Sequence, residues 1–259
     1  MIGILDSGVG GLSVLREMQR CMPARDFIYY GDTARAPYGR RSPERVASYV
    51  AQGLSILSDM GVGLLVVAGH SAAACLTDDA RKQFPVPVLD IISAGVIPGL
   101  SLLAPKAVGI LAPLLLEAAG EHEQAIRREF PGVRIYSKSA PLLEPLIEDG
   151  WLQKPETVMI VKKYLHFLKL RQIDALVLGS NHYTRLIRVI QQKMGKRVKL
   201  VDAAPVLVQG VKDYLAAHPG VDDACSKRGA CRIMVSDVTV HLMKTAEMFY
   251  GQNVKLELA

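Results

Sequence analysis

The chain alternates short, wholly apolar runs with longer amphipathic segments. Runs such as Leu64–Ala68 and Ala175–Leu178 contain only aliphatic residues, as strands do when both faces of a parallel sheet are covered. The segments between such runs span about 12 to 20 residues and carry the apolar spacing of amphipathic helices. This repeated strand-helix pattern predicts the α/β class with parallel sheets.

The predicted strands are 2–5, 27–30, 64–68, 87–91, 107–111, 133–137, 175–178, 198–201 and 232–235. The predicted helices are 11–21, 43–60, 72–83, 115–130, 155–170, 186–194, 204–217 and 239–250, with Pro43 and Pro155 at first-turn positions.

Two polar segments follow apolar strands and resemble each other. Gly69-His70-Ser71 follows Leu64–Ala68, and Gly179-Ser180-Asn181-His182 follows Ala175–Leu178. Ligands of open parallel sheets collect where strands end and helices begin. Two such ends predict a two-sided site in a cleft between similar domains, with His70 and His182 as an acid and a base. A lone histidine is more often structural, and that interpretation stays open for each.

Two glycine-rich loops also follow predicted strands. Asp6-Ser7-Gly8-Val9-Gly10-Gly11 has exposed amides suited to a carboxylate or phosphate, but it lacks the spacing of a phosphate-binding loop, and Asp6 could equally cap the following helix. Gly31 to Gly39 reads Gly-Asp-Thr-Ala-Arg-Ala-Pro-Tyr-Gly, which favours either a functional loop or a plain surface turn.

Composition narrows the functional classes. Half of the 259 residues are apolar and 22% are charged, which excludes a disordered chain. The net charge of +6 comes from dispersed residues without interleaved aromatic side chains, so we expect no nucleic-acid partner and a modest preference for anionic small molecules. No apolar run reaches the length of a membrane span, and the N-terminus shows no secretion signal, so we expect no membrane partner and a cytoplasmic location. Cys21, Cys75, Cys225 and Cys231 lack zinc spacing, so no metal site is expected.

The two glycine-rich loops together resemble the N-terminal signatures of glutamate racemases. The similarity extends through Val66-Val67-Ala68, Pro145 to Gly150, Leu178-Gly179 with His182-Tyr183, and the final helix ending at Gly251, so it covers nearly the whole chain. The resemblance implies a cofactor-independent racemase with two pseudo-symmetric α/β domains and a substrate cleft between them. We assign the first domain to 1–93 plus 205–259 and the second to 94–204; a homodimer is expected by analogy alone.

The resemblance also implies a pair of catalytic cysteines, one from each domain, which work on opposite faces of the substrate α-carbon. Where the family reads Ala-Cys-Asn-Thr-Ala this chain reads Ala68-Gly69-His70-Ser71-Ala72, and where the family reads Gly-Cys-Thr-His-Tyr it has Ser180 in place of the cysteine. The hydroxyl-rich loop of the family corresponds to Ala112 to Leu116, which has no hydroxyl. We therefore predict negligible interconversion of D- and L-glutamate.

Three hypotheses remain open. The chain is a diverged enzyme that moves protons on a small carboxylic or amino acid, a binding protein without catalysis, or an esterase in which Ser71 of Gly69-His70-Ser71-Ala72-Ala73 is the nucleophile. An ordinary glutamate racemase is a further alternative because of the overall similarity. We favour the enzyme because two histidines are costly polar groups in a cleft without function. The predicted catalytic residues are Asp6, His70 and His182, and the predicted binding residues are Ser7, Pro37, Tyr38, Gly39, Gly69, Ser71, Glu148, Ser180 and Asn181.

Overall fold

The computed structural model describes residues 1–259 and contains two parallel sheets. The strands are β1 Ile2–Asp6, β2 Phe27–Gly31, β3 Leu64–Val67, β4 Val88–Asp90, β5 Ala107–Ala112, β6 Arg134–Ser139, β7 Ala175–Leu178, β8 Lys199–Val201, β9 Cys231–Val235 and β10 Glu257–Leu258. The helices are α1 Leu12–Cys21, α2 Pro43–Asp59, α3 His70–Ala73, α4 Asp78–Lys82, α5 Ile97–Ser101, α6 Leu114–Ala119, α7 Glu121–Glu129, α8 Leu143–Glu148, α9 Pro155–Leu170, α10 Ile187–Met194, α11 Ala203–Ala217, α12 Pro219–Ala224 and α13 Val240–Tyr250.

The two sheets repeat one strand order. The first sheet runs β10-β9-β2-β1-β3-β4, and the second runs β6-β5-β7-β8. The order β2-β1-β3-β4 therefore recurs as β6-β5-β7-β8, with every pairing parallel. This topology confirms the predicted α/β class with two related parallel sheets. It also makes the ends of β3 and β7 equivalent positions.

The apolar residues of the predicted strands form the core. Strands β1, β3, β5 and β7 are buried along their whole length. Seventy buried residues form one continuous apolar cluster that includes residues from both sheets. The first sheet takes strands from both ends of the chain, whereas the second is built from residues 107–201. The domain boundaries at 93/94 and 204/205 stay a prediction.

Two predicted helices are broken in the structure. The helix predicted at 72–83 is α3 followed by α4, because Thr77 adopts an extended conformation and its side chain accepts a hydrogen bond from the Ala80 amide to start a new helix. The helix predicted at 115–130 is α6 followed by α7. Gly120 separates them with a φ of 69°, a left-handed conformation that glycine adopts without strain. None of the helices is both long and apolar enough to cross a bilayer.

Candidate active site

The strand ends of the two sheets enclose a small polar cavity. Its volume is about 30 Å³, and none of its lining residues is hydrophobic. The lining residues are Asp6, Ser7, Gly10, Gly69, His70, Ser71, Glu144, Gly179, Ser180, Asn181 and His182. The structure therefore brings together the segments after β1, β3 and β7, as expected for strand ends in parallel sheets.

Asp6 occupies the space beside Gly69. It is the last residue of β1, and only 4% of it is exposed. Its Oδ2 accepts a hydrogen bond of 2.6 Å from the Gly11 amide at the start of α1 and lies 3.3 Å from the Tyr29 hydroxyl. A Cβ atom added at Gly69 would overlap Asp6 Oδ1. Asp6 thus does hold the start of α1, while its other oxygen lies where a side chain at position 69 would begin.

His70 forms a buried imidazole pair with His122. His70 Nδ1 lies 3.0 Å from His122 Nε2, and the two residues are 3% and 1% exposed. Burial, together with the neighbouring His122, lowers the pKa of His70 well below its ordinary value of 6.5. Burial also lowers the pKa of His122, to about 4. The lowered pKa of each ring favours its neutral form near pH 7, and the predicted acid-base role of His70 stays a prediction.

His182 has the opposite electrostatic environment. Its Nε2 lies 2.9 Å from Glu148 Oε1, and its Nδ1 lies 3.9 Å from Glu144 Oε1. Burial alone would lower the pKa of His182, but Glu148, Glu144 and Asp6 together raise it above 6.5. The same contact lowers the pKa of Glu148, although burial opposes the effect. His182 and Glu148 therefore form a partly buried ion pair at mildly acidic pH.

Ser180 contacts both Glu144 of α8 and His182. Its hydroxyl donates a hydrogen bond of 2.7 Å to Glu144 Oε1 and lies 3.4 Å from His182 Nδ1. The Ser180 side chain also accepts a bond from the His182 amide. Ser180 is thus a link between the acid and the imidazole.

Direct contacts join residues from different sides of this cavity. Asn181 Nδ2 donates a hydrogen bond of 2.9 Å to the carbonyl oxygen of Ala68, so the residues after β3 and β7 are joined. His182 lies against Gly10, because a Cβ at that glycine would be 2.8 Å from His182 Cε1. In this form the cavity holds water-sized molecules rather than an amino acid.

The predicted loop residues 37–39 lie beside the cavity rather than in its wall. Pro37 and Gly39 line a second small cavity, of about 30 Å³, together with Glu144 and Glu148. Tyr38 is buried, and its hydroxyl donates to Asp32 Oδ2 at 2.5 Å. At Gly39 the loop packs against Pro113, which directly follows β5 of the second sheet. A Cβ atom added at Gly39 would be only 2.7 Å from the Pro113 Cβ.

Three functional candidates were missed from the sequence. Glu144 and Glu148 are four residues apart on α8, so they share a helix face, and this spacing could have identified Glu144. His122 and Tyr29 become neighbours of the site only through the tertiary fold, and no local pattern marks them.

Other groups do not complete a site. Ser71 lines the cavity without a hydrogen bond to any imidazole, and His70 Nδ1 is already engaged by His122, so the predicted nucleophile elbow lacks a base. Cys75 is buried outside the cavity wall, and burial together with Glu44 raises its pKa to about 11. No group of three or more His, Cys, Asp or Glu side chains is arranged to ligate a metal ion.

Comparison with known proteins identifies the family. Residues 2–211 match the family described as Asp/Glu/Hydantoin racemase. The glutamate racemase of Geobacter metallireducens is 36% identical over 250 residues, which cover 96% of this chain and 92% of the relative. The glutamate racemase of a Thermoanaerobacter species is 34% identical, with 98% and 94% coverage.

Solved structures agree with this assignment. Glutamate racemase from Francisella tularensis in complex with D-glutamate superposes with a TM-score of 0.90 at 27% identity, covering all of this chain and 96% of the other. A glutamate racemase isoform from Bacillus anthracis gives a TM-score of 0.91 at 26% identity, with 100% and 97% coverage. The chain therefore belongs to the Asp/Glu/hydantoin racemase family and is a glutamate racemase-like protein.

Proposed function

We propose that this protein exchanges the α-proton of a glutamate-like acidic amino acid without thiols, using Asp6 from the first sheet and His182 from the second. The observation that carries the proposal is the position of Asp6 Oδ1, which fills the space of a side chain at Gly69 and lines the same cavity as His182. The names of the relatives support racemisation of glutamate more than the loss of activity predicted from the sequence.

The thiol mechanism of the family lacks its groups in this chain. Positions 69 and 180 carry glycine and serine, and the lining of the cavity includes no cysteine. A serine hydroxyl is a much weaker acid than a thiol. The Ser180 hydroxyl donates its hydrogen bond to the Glu144 carboxylate, which is too weak a base to ionise it. The proposed proton transfer therefore uses the carboxylates and imidazoles of the cavity.

Asp6 is suited to removing a proton. Its Oδ2 is held by the Gly11 amide, so the carboxylate is fixed and Oδ1 remains available. When Oδ1 takes the α-proton, the electron pair of the broken C–H bond moves onto the substrate as a carbanion delocalised into its carboxylate. Fixed groups with no need to reorganise make such a transfer faster.

His182 is suited to returning a proton on the other side. Glu148 stabilises the imidazolium at Nε2, which leaves Nδ1, 3.4 Å from Ser180 Oγ, as the nitrogen nearest the cavity wall. The imidazolium gives its proton to the carbanion and becomes neutral while Asp6 holds the proton first removed. In the reverse direction His182 is the base and Asp6 the acid, so the pair accounts for both enantiomers.

The test is deuterium exchange in D₂O. The purified protein is incubated with L- or D-glutamate, loss of the α-proton signal is followed by NMR, and chirality is measured by chiral chromatography. We expect slow exchange with inversion. Asp79→Asn is the matched control for Asp6→Asn, because the Asp79 side chain is 90% exposed and is not among the residues that line the cavity. Exchange in neither enantiomer, or equal exchange in the Asp6→Asn protein, contradicts the proposal.

Binding without turnover is the second candidate. Gly69 and Ser180 at the two thiol positions favour it, because the polar lining of the cleft is kept without the thiols that the family resemblance implies. A thermal-shift titration with glutamate separates the two: stabilisation without deuterium incorporation supports a binding protein.

A further inference from the structure

The His70–His122 pair joins the two sheets behind the cavity and has no part in the proton transfer described above. His70 begins α3, directly after β3 and Gly69, whereas His122 lies in the first turn of α7, between β5 and β6. The ring centroids are 5.3 Å apart. Of the four ring nitrogens, His122 Nδ1 is buried without any hydrogen-bond partner. His70 Nε2 makes no hydrogen bond within the protein, and its residue lines the cavity.

The unpartnered His122 Nδ1 decides which ring donates the hydrogen bond between His70 and His122. If His70 Nδ1–H donated to His122, the proton of neutral His122 would sit on Nδ1 and leave a buried N–H group without an acceptor. If His122 Nε2–H donates to His70, His122 Nδ1 carries only a lone pair. Orphaned buried N–H groups are rare in proteins, and orphaned acceptors are less so. The second arrangement is therefore preferred, and it places the proton of His70 on Nε2.

We propose that His70 is a fixed hydrogen-bond donor, presenting Nε2–H to a carboxylate oxygen of the acidic ligand, and that His122 is the positioning residue that holds His70 in this tautomer. The proposal rests on the proposed function for the identity of the ligand. It replaces the acid-base role that the sequence suggested for His70.

A neutral donor at this position fits the chemistry. When the α-proton leaves, negative charge develops on the carboxylate oxygens, and a preorganised N–H group facing them stabilises the transition state. A ring that stays neutral gives a constant donor, because it neither gains a proton in the working range nor loses its hydrogen. The lowered pKa values of His70 and His122 agree with this behaviour.

The first experiment reads the tautomers without ligand. Protein labelled with ¹⁵N-histidine is studied by long-range ¹H–¹⁵N NMR, with signals assigned from His70→Gln and His122→Gln. Both rings should show the neutral Nε2–H pattern from about pH 5.5 to about 8.5. An Nδ1–H tautomer at His70, or titration of either ring in this range, overturns the proposal whatever the exchange activity is.

The second experiment adds L- and D-glutamate. The His70 Nε2–H signal should shift on binding of at least one of them. The dissociation constant should rise roughly 10- to 100-fold in His70→Phe, which lacks the donor, and much less in His70→Gln, which keeps one. His122→Phe should weaken glutamate binding and leave His70 as a mixture of tautomers. His122→Gln retains a hydrogen-bond donor, so it should keep both the binding and the Nε2–H tautomer of His70.

The two proposals fail separately. A shift of the His70 signal without deuterium exchange preserves the donor role and removes the catalytic proposal. Deuterium exchange without any shift of the His70 signal at saturating glutamate overturns the donor role and leaves the catalytic proposal. Equal binding by His70→Phe and the unaltered protein also overturns the donor role.

Discussion

The residues after β3 and after β7 occupy equivalent positions in the two sheets, yet they differ in their charge. After β3, His70 is paired with a second imidazole, and the burial of both rings favours their neutral forms. After β7, His182 is flanked by two carboxylates that favour its charged form. Equivalent topology therefore fixes where a side chain lies, and the neighbouring groups fix its protonation.

The largest expected effect concerns the two proposed bases. Each base abstracts from one enantiomer, so Asp6→Asn and His182→Asn should slow α-proton exchange of opposite enantiomers, each by about 10²- to 10⁴-fold. Exchange rates of L- and D-glutamate in D₂O measure this. If both variants lose exchange of the same enantiomer, Asp6 and His182 do not act on opposite faces.

The packing at the end of β3 gives the next largest effect. Gly69→Ala forces the Asp6 carboxylate away from its bond to the Gly11 amide and should lower the free energy of unfolding by about 1–2 kcal/mol. Gly220→Ala is the control, because a Cβ there has no neighbour within 4 Å. Denaturant titration measures both. Equal stability of the two variants would mean that Asp6 moves without cost.

The neutral pair should make the protein sensitive to acid. In the unfolded chain His122 becomes protonated below about pH 6.5, whereas in the folded protein it becomes protonated only near pH 4. Between these pH values the unfolded state binds more protons, so the free energy of unfolding falls as the pH falls. His122→Phe should reduce this slope by about 1 kcal/mol per pH unit. The same slope in the His122→Phe protein and the unaltered protein would place His122 in a solvated environment.

The His182–Glu148 pair should stabilise the fold most in a mildly acidic pH window, with a smaller effect. Because the pKa of His182 is raised in the folded state, its contribution to stability is complete below pH 6.5 and is lost as the pH rises through the folded-state pKa. Because the pKa of Glu148 is lowered in the folded state, its contribution is present above pH 4.5 and is lost as the pH falls through the folded-state pKa. Glu148→Gln should therefore cost most between these values, about 0.5 kcal/mol, because the Glu148 side chain is 37% exposed. Stability curves at several pH values measure it, and a loss that is constant with pH would exclude an ion pair.

Much of the fold follows from local sequence. The apolar runs of β1, β3, β5 and β7 are short and continuous, so they identify buried parallel strands, and polar residues directly after them identify the site. Helix interruptions were harder to predict, because apolar spacing continues across Gly120 and Thr77 while the backbone does not.

The partners of the site residues could not be predicted. His70 in the sequence indicates an imidazole that titrates near neutrality, and only the fold brings His122, fifty-two positions away, to within hydrogen-bond distance. Likewise, the sequence shows only that position 69 carries no side chain. In the structure the Asp6 carboxylate occupies the space where a side chain at Gly69 would begin. Contacts between distant residues, rather than residue types, determine the protonation of this site.

The bond from Asn181 Nδ2 to the Ala68 carbonyl has a kinetic consequence. Moving the ends of β3 and β7 apart to make room for a substrate larger than water would break this hydrogen bond, at a cost of about 1 kcal/mol. We expect such a separation to slow both substrate capture and product release.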